Sequence, residues 1–217
     1  DGEGDVILSS TCFYAESGGQ CADTGTLWND SFKAHVSDVQ KAPHKQPMHH
    51  ITDVQGTLRE GDVLNGEYDY AARQATRANH SSLHLLQAAL KAVLGDHVAQ
   101  AGSYNCPDYA RFDFTHFEKP TAEQLREVER IVNTQICSCL PVTTEVLSLE
   151  DAKKTGATAL CDETYGDTVR VVSMGCFSKE FCGGTHVSNT ADLGSFRIIS
   201  EESIGSGVRR ITCQTKM

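Results

Sequence analysis

An α+β fold is predicted by three observations. Residues 1 to about 68 are rich in Gly, Asp, Ser and Thr and carry short β-like runs with turn signals between them. After Tyr70 the pattern becomes helical, with apolar residues three and four apart. Beyond that point strands and helices mix without a regular βαβ repeat, which favours an α+β sandwich over a parallel sheet. The predicted architecture is a small N-terminal β-barrel, residues 1–68, followed by a two-layer α+β core, residues 69–217.

Val6-Ile7-Leu8, Gly25 to Trp28 and Phe32 to Val36 each fit a short strand. Lys41 to His50, with two prolines and three histidines, reads as a loop, and Gly56 and Gly61 punctuate the stretch after it. Leu83, Leu86, Leu90 and Val93 mark a helix over Ser82–Leu94, stopped by Gly95. Two strands, Val98–Tyr104 and Tyr109–Phe114, flank the turn Asn105-Cys106-Pro107-Asp108. Thr121 to Gln124 resembles a capping box that opens a helix reaching Cys137. A strand over Val142–Leu147, a short helix over Leu149–Thr155 and strands at Val169–Ser173, Phe196–Ser200 and Val208–Cys213 complete the pattern.

The totals restrict function. The 217 residues carry a formal charge of -10, which argues against a stand-alone protein that grips nucleic acid by neutralising phosphates. No apolar run approaches the ~20 residues that span a bilayer, and no signal-peptide pattern opens the chain. The nine cysteines form no disulfide framework, so they are expected as reduced thiols in a cytoplasmic protein. The first residue is Asp1, which suggests a piece of a longer protein.

His80 and His84 lie four apart at the start of the first strong helix, so they share one face and can share one metal ion. Cys182-Gly183-Gly184-Thr185-His186 offers a thiolate and a third imidazole from one turn, with two glycines to let the backbone fold tightly. Three imidazoles and one thiolate suit tetrahedral zinc. Each half of this set is common on surfaces; the combination is the informative feature. Ser81 stands where a helical zinc protease of the HExxH type carries its glutamate base, which argues against a protease. Ser17-Gly18-Gly19 lies in a second segment, Phe13 to Gln20, whose backbone can approach a ligand closely or simply turn. His49-His50 reads as a loop feature, and Arg209-Arg210 as a surface pair or a weak phosphate contact.

These segments, in this order, resemble the editing domain of alanyl-tRNA synthetases, shared with free-standing alanyl-tRNA editing proteins. The matching stretches are Phe13 to Gln20 with Asp23-Thr24-Gly25, Arg77 to Leu86 with both histidines, Gln100 to Ser103, Arg111 to Phe114, Cys182 to His186 and Gly207 to Ile211. Cys12 and Cys21-Ala22 depart from the family pattern beside the glycine segment. The resemblance implies a zinc ion on His80, His84, Cys182 and His186, a water-positioning Gln100, and a discriminating loop at Ser17, Gly18 and Gly19. It implies hydrolysis of serine or glycine wrongly esterified to the alanine-specific tRNA, whose acceptor end would be the partner together with the domains of a parent synthetase. The chemical need is plain, because one methyl group gives a binding pocket only ~1–3 kcal/mol of discrimination. Rival readings are a free-standing deacylase and a zinc-stabilised tRNA-binding module without activity; editing of threonyl-tRNA is disfavoured by the glycine loop and the Cys-Gly-Gly-Thr-His turn.

Overall fold

The computed structural model describes residues 2–159 and 166–216, so Asp1, Cys161 and Met217 lie outside the described residues. The chain divides into two compact units, Asp1–Gln74 and Ala75–Met217, and α+β is the observed class.

The first unit is one antiparallel sheet of β1 (Gly4–Ile7), β2 (Gly25–Trp28), β3 (Phe32–Lys41), β4 (Pro47–Gly56) and β5 (Asn65–Tyr68), in the order β1-β4-β3-β2-β5. Phe32, Ala34 and Val36 alternate inward while Lys33 and His35 are exposed, the period of a half-buried strand. The register shifts between Val36 and Asp38, and this bulge turns Val39 inward in place of Asp38. Phe13, Leu27 and Ile51 complete the core. The expected barrel is corrected to an open sheet. Closure requires the two edge strands to pair, but β1 pairs with Met48–Ile51 of β4 and β5 pairs with β2.

The loop expected over 41–50 is also shorter. Ala42 and Gln46 close the turn, Lys45 takes φ 66°, and Pro47 begins β4. Proline is tolerated at the first position of a strand. His49 and His50 therefore point to opposite faces. His49 is fully buried, with Nδ1 3.0 Å from Val6 O and Nε2 2.7 Å from Thr11 Oγ1, and burial lowers its pKa. His50 lies on the exposed side beside Asp5 at 3.0 Å.

Helix α1 (Tyr70–Leu94) starts well before the expected Ser82. Asp69 caps it, its Oδ1 accepting from Ala72 N at 2.9 Å. Its early turns bury Arg73, Thr76, Asn79, His80, Ser81 and Ser82, polar residues that leave no apolar period to read. In the second unit β6 (Gln100–Asn105), β7 (Ala110–Thr115), β11 (Ser195–Gly205) and β12 (Val208–Lys216) form a sheet in the order β11-β12-β7-β6. A second sheet, β10-β9-β8, is built from β8 (Val142–Ser148), β9 (Thr168–Met174) and β10 (Ser178–Phe181). Helix α2 (Ala122–Cys137) carries the predicted capping box at Thr121 and Gln124 and buries Val128, Val132 and Ile136 at intervals of four; α3 (Leu149–Lys154) is short. Leu86 and Leu90 of α1, Val132 of α2, Phe112 and Phe114 of β7, Ile211 of β12 and Met174 of β9 share one core, which joins both helices to both sheets.

Candidate metal centre

Asn79 anchors α1 at the level of the site. Its amide nitrogen donates to Cys106 O (2.8 Å) and Pro107 O (3.1 Å), and its oxygen accepts from Thr215 N (3.0 Å) and Thr215 Oγ1 (2.9 Å). The next residue, His80, and His84 one turn later are 6% and 4% exposed, with ring centroids 5.5 Å apart. Cys182 and His186 arrive on the segment after β10. The His186 ring lies 4.3 Å from that of His80 and 4.5 Å from that of His84. Cys182 Sγ is 3.4 Å from His80 Nε2 and 3.2 Å from His186 Nε2. All four ligand atoms lie within 4.8 Å of one another.

A tetrahedral ion with nitrogen at ~2.0–2.1 Å and sulfur at ~2.3 Å holds such donors about 3.6 Å apart, so small adjustments would accommodate an ion. The imidazoles are also in the required protonation state. Burial, followed by the nearby Arg170 charge, lowers His80 to about 4. Burial and then the neighbouring histidines and Arg170 hold His84 and His186 well below the usual value. Neutral rings offer lone pairs; protonated rings do not.

Three residues outside the predicted set shape the centre. Arg170 on β9 donates to Cys182 O (3.0 Å), to Gly184 O (2.5 Å) and to Thr144 Oγ1 on β8 (3.3 Å), and its own carbonyl accepts from Cys182 N (2.9 Å). This tie explains the turn better than glycine freedom does. Neither Gly183 nor Gly184 has positive φ, and a Cβ at Gly183 would meet nothing within 4 Å. Ser81, fully buried, has its Oγ 3.0 Å from His186 Nδ1 and accepts from Val187 N at 3.2 Å. Glu180 places Oε2 3.8 Å from His84 Nδ1, too long for a hydrogen bond; burial raises its pKa to about 8. Glu180 also lines a cavity of about 530 Å³ with Gln87, Lys91, Gly175 and Ser178. The sequence signal for Arg170 was a cation inside the apolar run Val169–Met174; for Ser81 and Glu180 it was adjacency to the ligands.

The remaining predicted residues have partners of their own. Gln100 begins β6 and donates to Ser103 Oγ at 3.1 Å, within its own strand. In the first unit Ser17 and Gln20 exchange backbone bonds of 3.2 and 3.0 Å across Gly18 (φ 58°) and Gly19 (φ 79°). Two successive positive φ values make this a type I′ turn, which glycine adopts without strain. Its stem is braced by Tyr14, which donates from OH to Ser17 O (3.0 Å) and from N to Asp23 Oδ2 (2.6 Å). Arg73 forks onto Asp23 and donates to Cys12 O at 3.1 Å. Arg209 is paired with Glu201, and Arg210 is held bidentately by Asp113 at 2.7 Å.

Comparison with known proteins shows what the chain is similar to. Residues 169–212 match the family described as "Threonyl and Alanyl tRNA synthetase second additional domain", and residues 2–72 match "tRNA synthetases class II (A)". Alanine–tRNA ligase of Alkaliphilus oremlandii is 49% identical over 216 residues, 99% of this chain and 24% of that protein. The ligase of Streptococcus mutans is 51% identical over 217 residues (98% of this chain, 25% of the other) and that of Thermotoga petrophila 51% over 212 (97% and 24%). The chain spans about a quarter of the length of these relatives. It belongs to the alanyl-tRNA synthetase family, as the segment that carries the second additional domain.

Proposed function

We propose that this chain is the editing part of an alanine–tRNA ligase and hydrolyses serine or glycine wrongly esterified to the alanine-specific tRNA, with zinc held by His80, His84, Cys182 and His186. The observation that carries this reading is the convergence of four buried or half-buried donors from two distant segments in a chain half identical to alanine–tRNA ligases. Within it, residues 1–68 bear the discriminating turn and residues 69–217 the metal-holding core. When bound, zinc would supply a positive charge that attracts a lone pair of the ester's oxygen or of the unprotonated amino group of its amino acid.

The protein's own groups do the rest. Three imidazoles and one thiolate would close a tetrahedral set, so the ion would act by holding the segments that carry its ligands and by its charge on the nearby ester, not by delivering a bound water. The Gln100 amide orients the attacking water, and Ser17, Gly18 and Gly19 set which side chain is accepted. Arg209 and Arg210 are already paired with carboxylates. The isolated chain therefore holds the tRNA acceptor end weakly and depends on the parent synthetase domains to deliver it. We infer a cytoplasmic setting, in which the cysteines stay reduced; no helix among the described residues is long and apolar enough to cross a membrane.

The test is hydrolysis of purified Ser-tRNA and Gly-tRNA, with Ala-tRNA as control, with and without chelator. Loss of serine and glycine release on chelation and in Cys182→Ala, with Ala-tRNA spared throughout, is the expected result. Full hydrolysis by a Cys182→Ala chain that keeps its zinc would overturn it.

A further inference from the structure

Ser81 has a use that neither the ligand set nor the proposed reaction includes. We propose that Ser81 is a positioning residue for the metal, fixing the proton and the ring plane of His186. The inference rests on the four-ligand reading above. His186 directs Nε2 to the thiol at 3.2 Å and Nδ1 to Ser81 Oγ at 3.0 Å. An imidazole that gives Nε2 to a metal carries its proton on Nδ1, and here that proton meets a hydroxyl oxygen. A hydroxyl has two acceptor sites. Val187 N occupies one at 3.2 Å, and His186 Nδ1–H takes the other.

One fully buried side chain on α1 thus gathers both the backbone and the ring of the arm that brings the fourth ligand, more than a hundred positions along the chain. The partner of a ligand's second nitrogen orients the ring and tunes its basicity. His84 lacks such a close partner, since Glu180 stands 3.8 Å from its Nδ1 and that nitrogen has no hydrogen bond. The position also accounts for the departure from the HExxH pattern. A glutamate there would face the ion as a base, whereas the serine hydroxyl faces a ligand.

Ser82 provides the control. It is equally buried, but its Oγ donates to Asn79 O at 2.7 Å within its own helix. Zinc affinity of the whole chain would be measured by competition with a chromogenic chelator for the wild type, Ser81→Ala and Ser82→Ala. Ser81→Ala is expected to bind zinc ~10–100-fold more weakly, the usual effect of removing such a partner, with Ser82→Ala unchanged. Nitrogen NMR of the zinc-loaded wild type should show His186 protonated on Nδ1. Wild-type affinity in Ser81→Ala, an equal loss in Ser82→Ala, or His186 protonated on Nε2 would overturn the assignment. A wild-type chain that takes up no zinc would remove the four-ligand reading itself, and that result is seen before any variant is compared.

Discussion

Each unit buries a polar cluster, and the two clusters are completed in different ways. In the first unit Arg73 and Asp23, 6% and 7% exposed, face one another; Tyr14 N donates to Asp23, Cys12 O accepts from Arg73, and the guanidinium lies 4.0 Å from the Tyr68 ring centroid. That cluster is neutral in sum and hydrogen-bonded by the chain alone. In the second unit three imidazoles and a thiol converge beside the cation Arg170, and none of the four brings a counter-charge to the others. The difference separates scaffold from site. A buried network of paired charges holds a shape, here the stem of the Ser17–Gln20 turn, whereas the grouped donors of the second unit could hold a metal ion.

Breaking the first cluster should have the largest effect on stability. Arg73→Ala leaves Asp23 buried without its partner and is expected to destabilise the first unit by ~3–5 kcal/mol. Chemical denaturation followed at Trp28, which lies in β2, would read this, and the shift should not depend on chelator. The second cluster should show the opposite dependence. Free zinc at about 1,000 times Kd is expected to add about 4 kcal/mol to the second unit, a gain that chelation removes and that calorimetry with and without metal would detect.

Acid should separate the clusters next. His80 has a folded-state pKa of about 4 against 6.5 unfolded, so its contribution is fully present above pH 6.5 and is lost as pH falls towards 4. For the metal-free chain this amounts to ~3 kcal/mol from His80, and denaturation between pH 7 and pH 4 should show the second unit weakening over that window. The smallest effect is expected from Tyr14→Phe, which removes the hydrogen bond from its hydroxyl to Ser17 O. A loss of about 1 kcal/mol, with faster hydrogen exchange at Gly18 and Gly19 and no change in zinc affinity, would confine that bond to the first unit's scaffold.

Much of the site was legible in the sequence because the signals were local. His80 and His84 at helical spacing, and Cys182 with His186 around a glycine pair, each lie within five residues, and these are the four side chains that the fold brings together. The Thr121 capping box and the apolar rows of α2 and β3 follow single-element rules. The failures have a common cause. The early turns of α1 bury Asn79, Ser81 and Arg73, whose burial is stabilised by partners 27 to 136 positions away, and periodicity reads such residues as solvent-facing. The extra strand length of β4 was hidden by Pro47, which is acceptable only because it opens the strand. Openness of the first sheet depends on which edges pair, a property of the assembled sheet that no single run encodes. The glycine pair points to backbone freedom as the source of the Cys182–His186 turn, yet the turn is held by Arg170 on β9, twelve positions upstream of Cys182.

The spacing of the ligands along the chain also bears on the order of folding. His84 and Cys182 are separated by β6 to β10, which include two helices, the whole β10-β9-β8 sheet and two of the four strands of the other sheet. An ion that joins them closes a loop of about 100 residues, a topological staple comparable in span to a long-range disulfide, for which chain entropy alone is worth ~4.7 kcal/mol. Such a closure is improbable in an extended chain, so on the proposed four-ligand reading zinc would seal the assembled unit rather than nucleate it, and refolding followed with and without the ion would read that order.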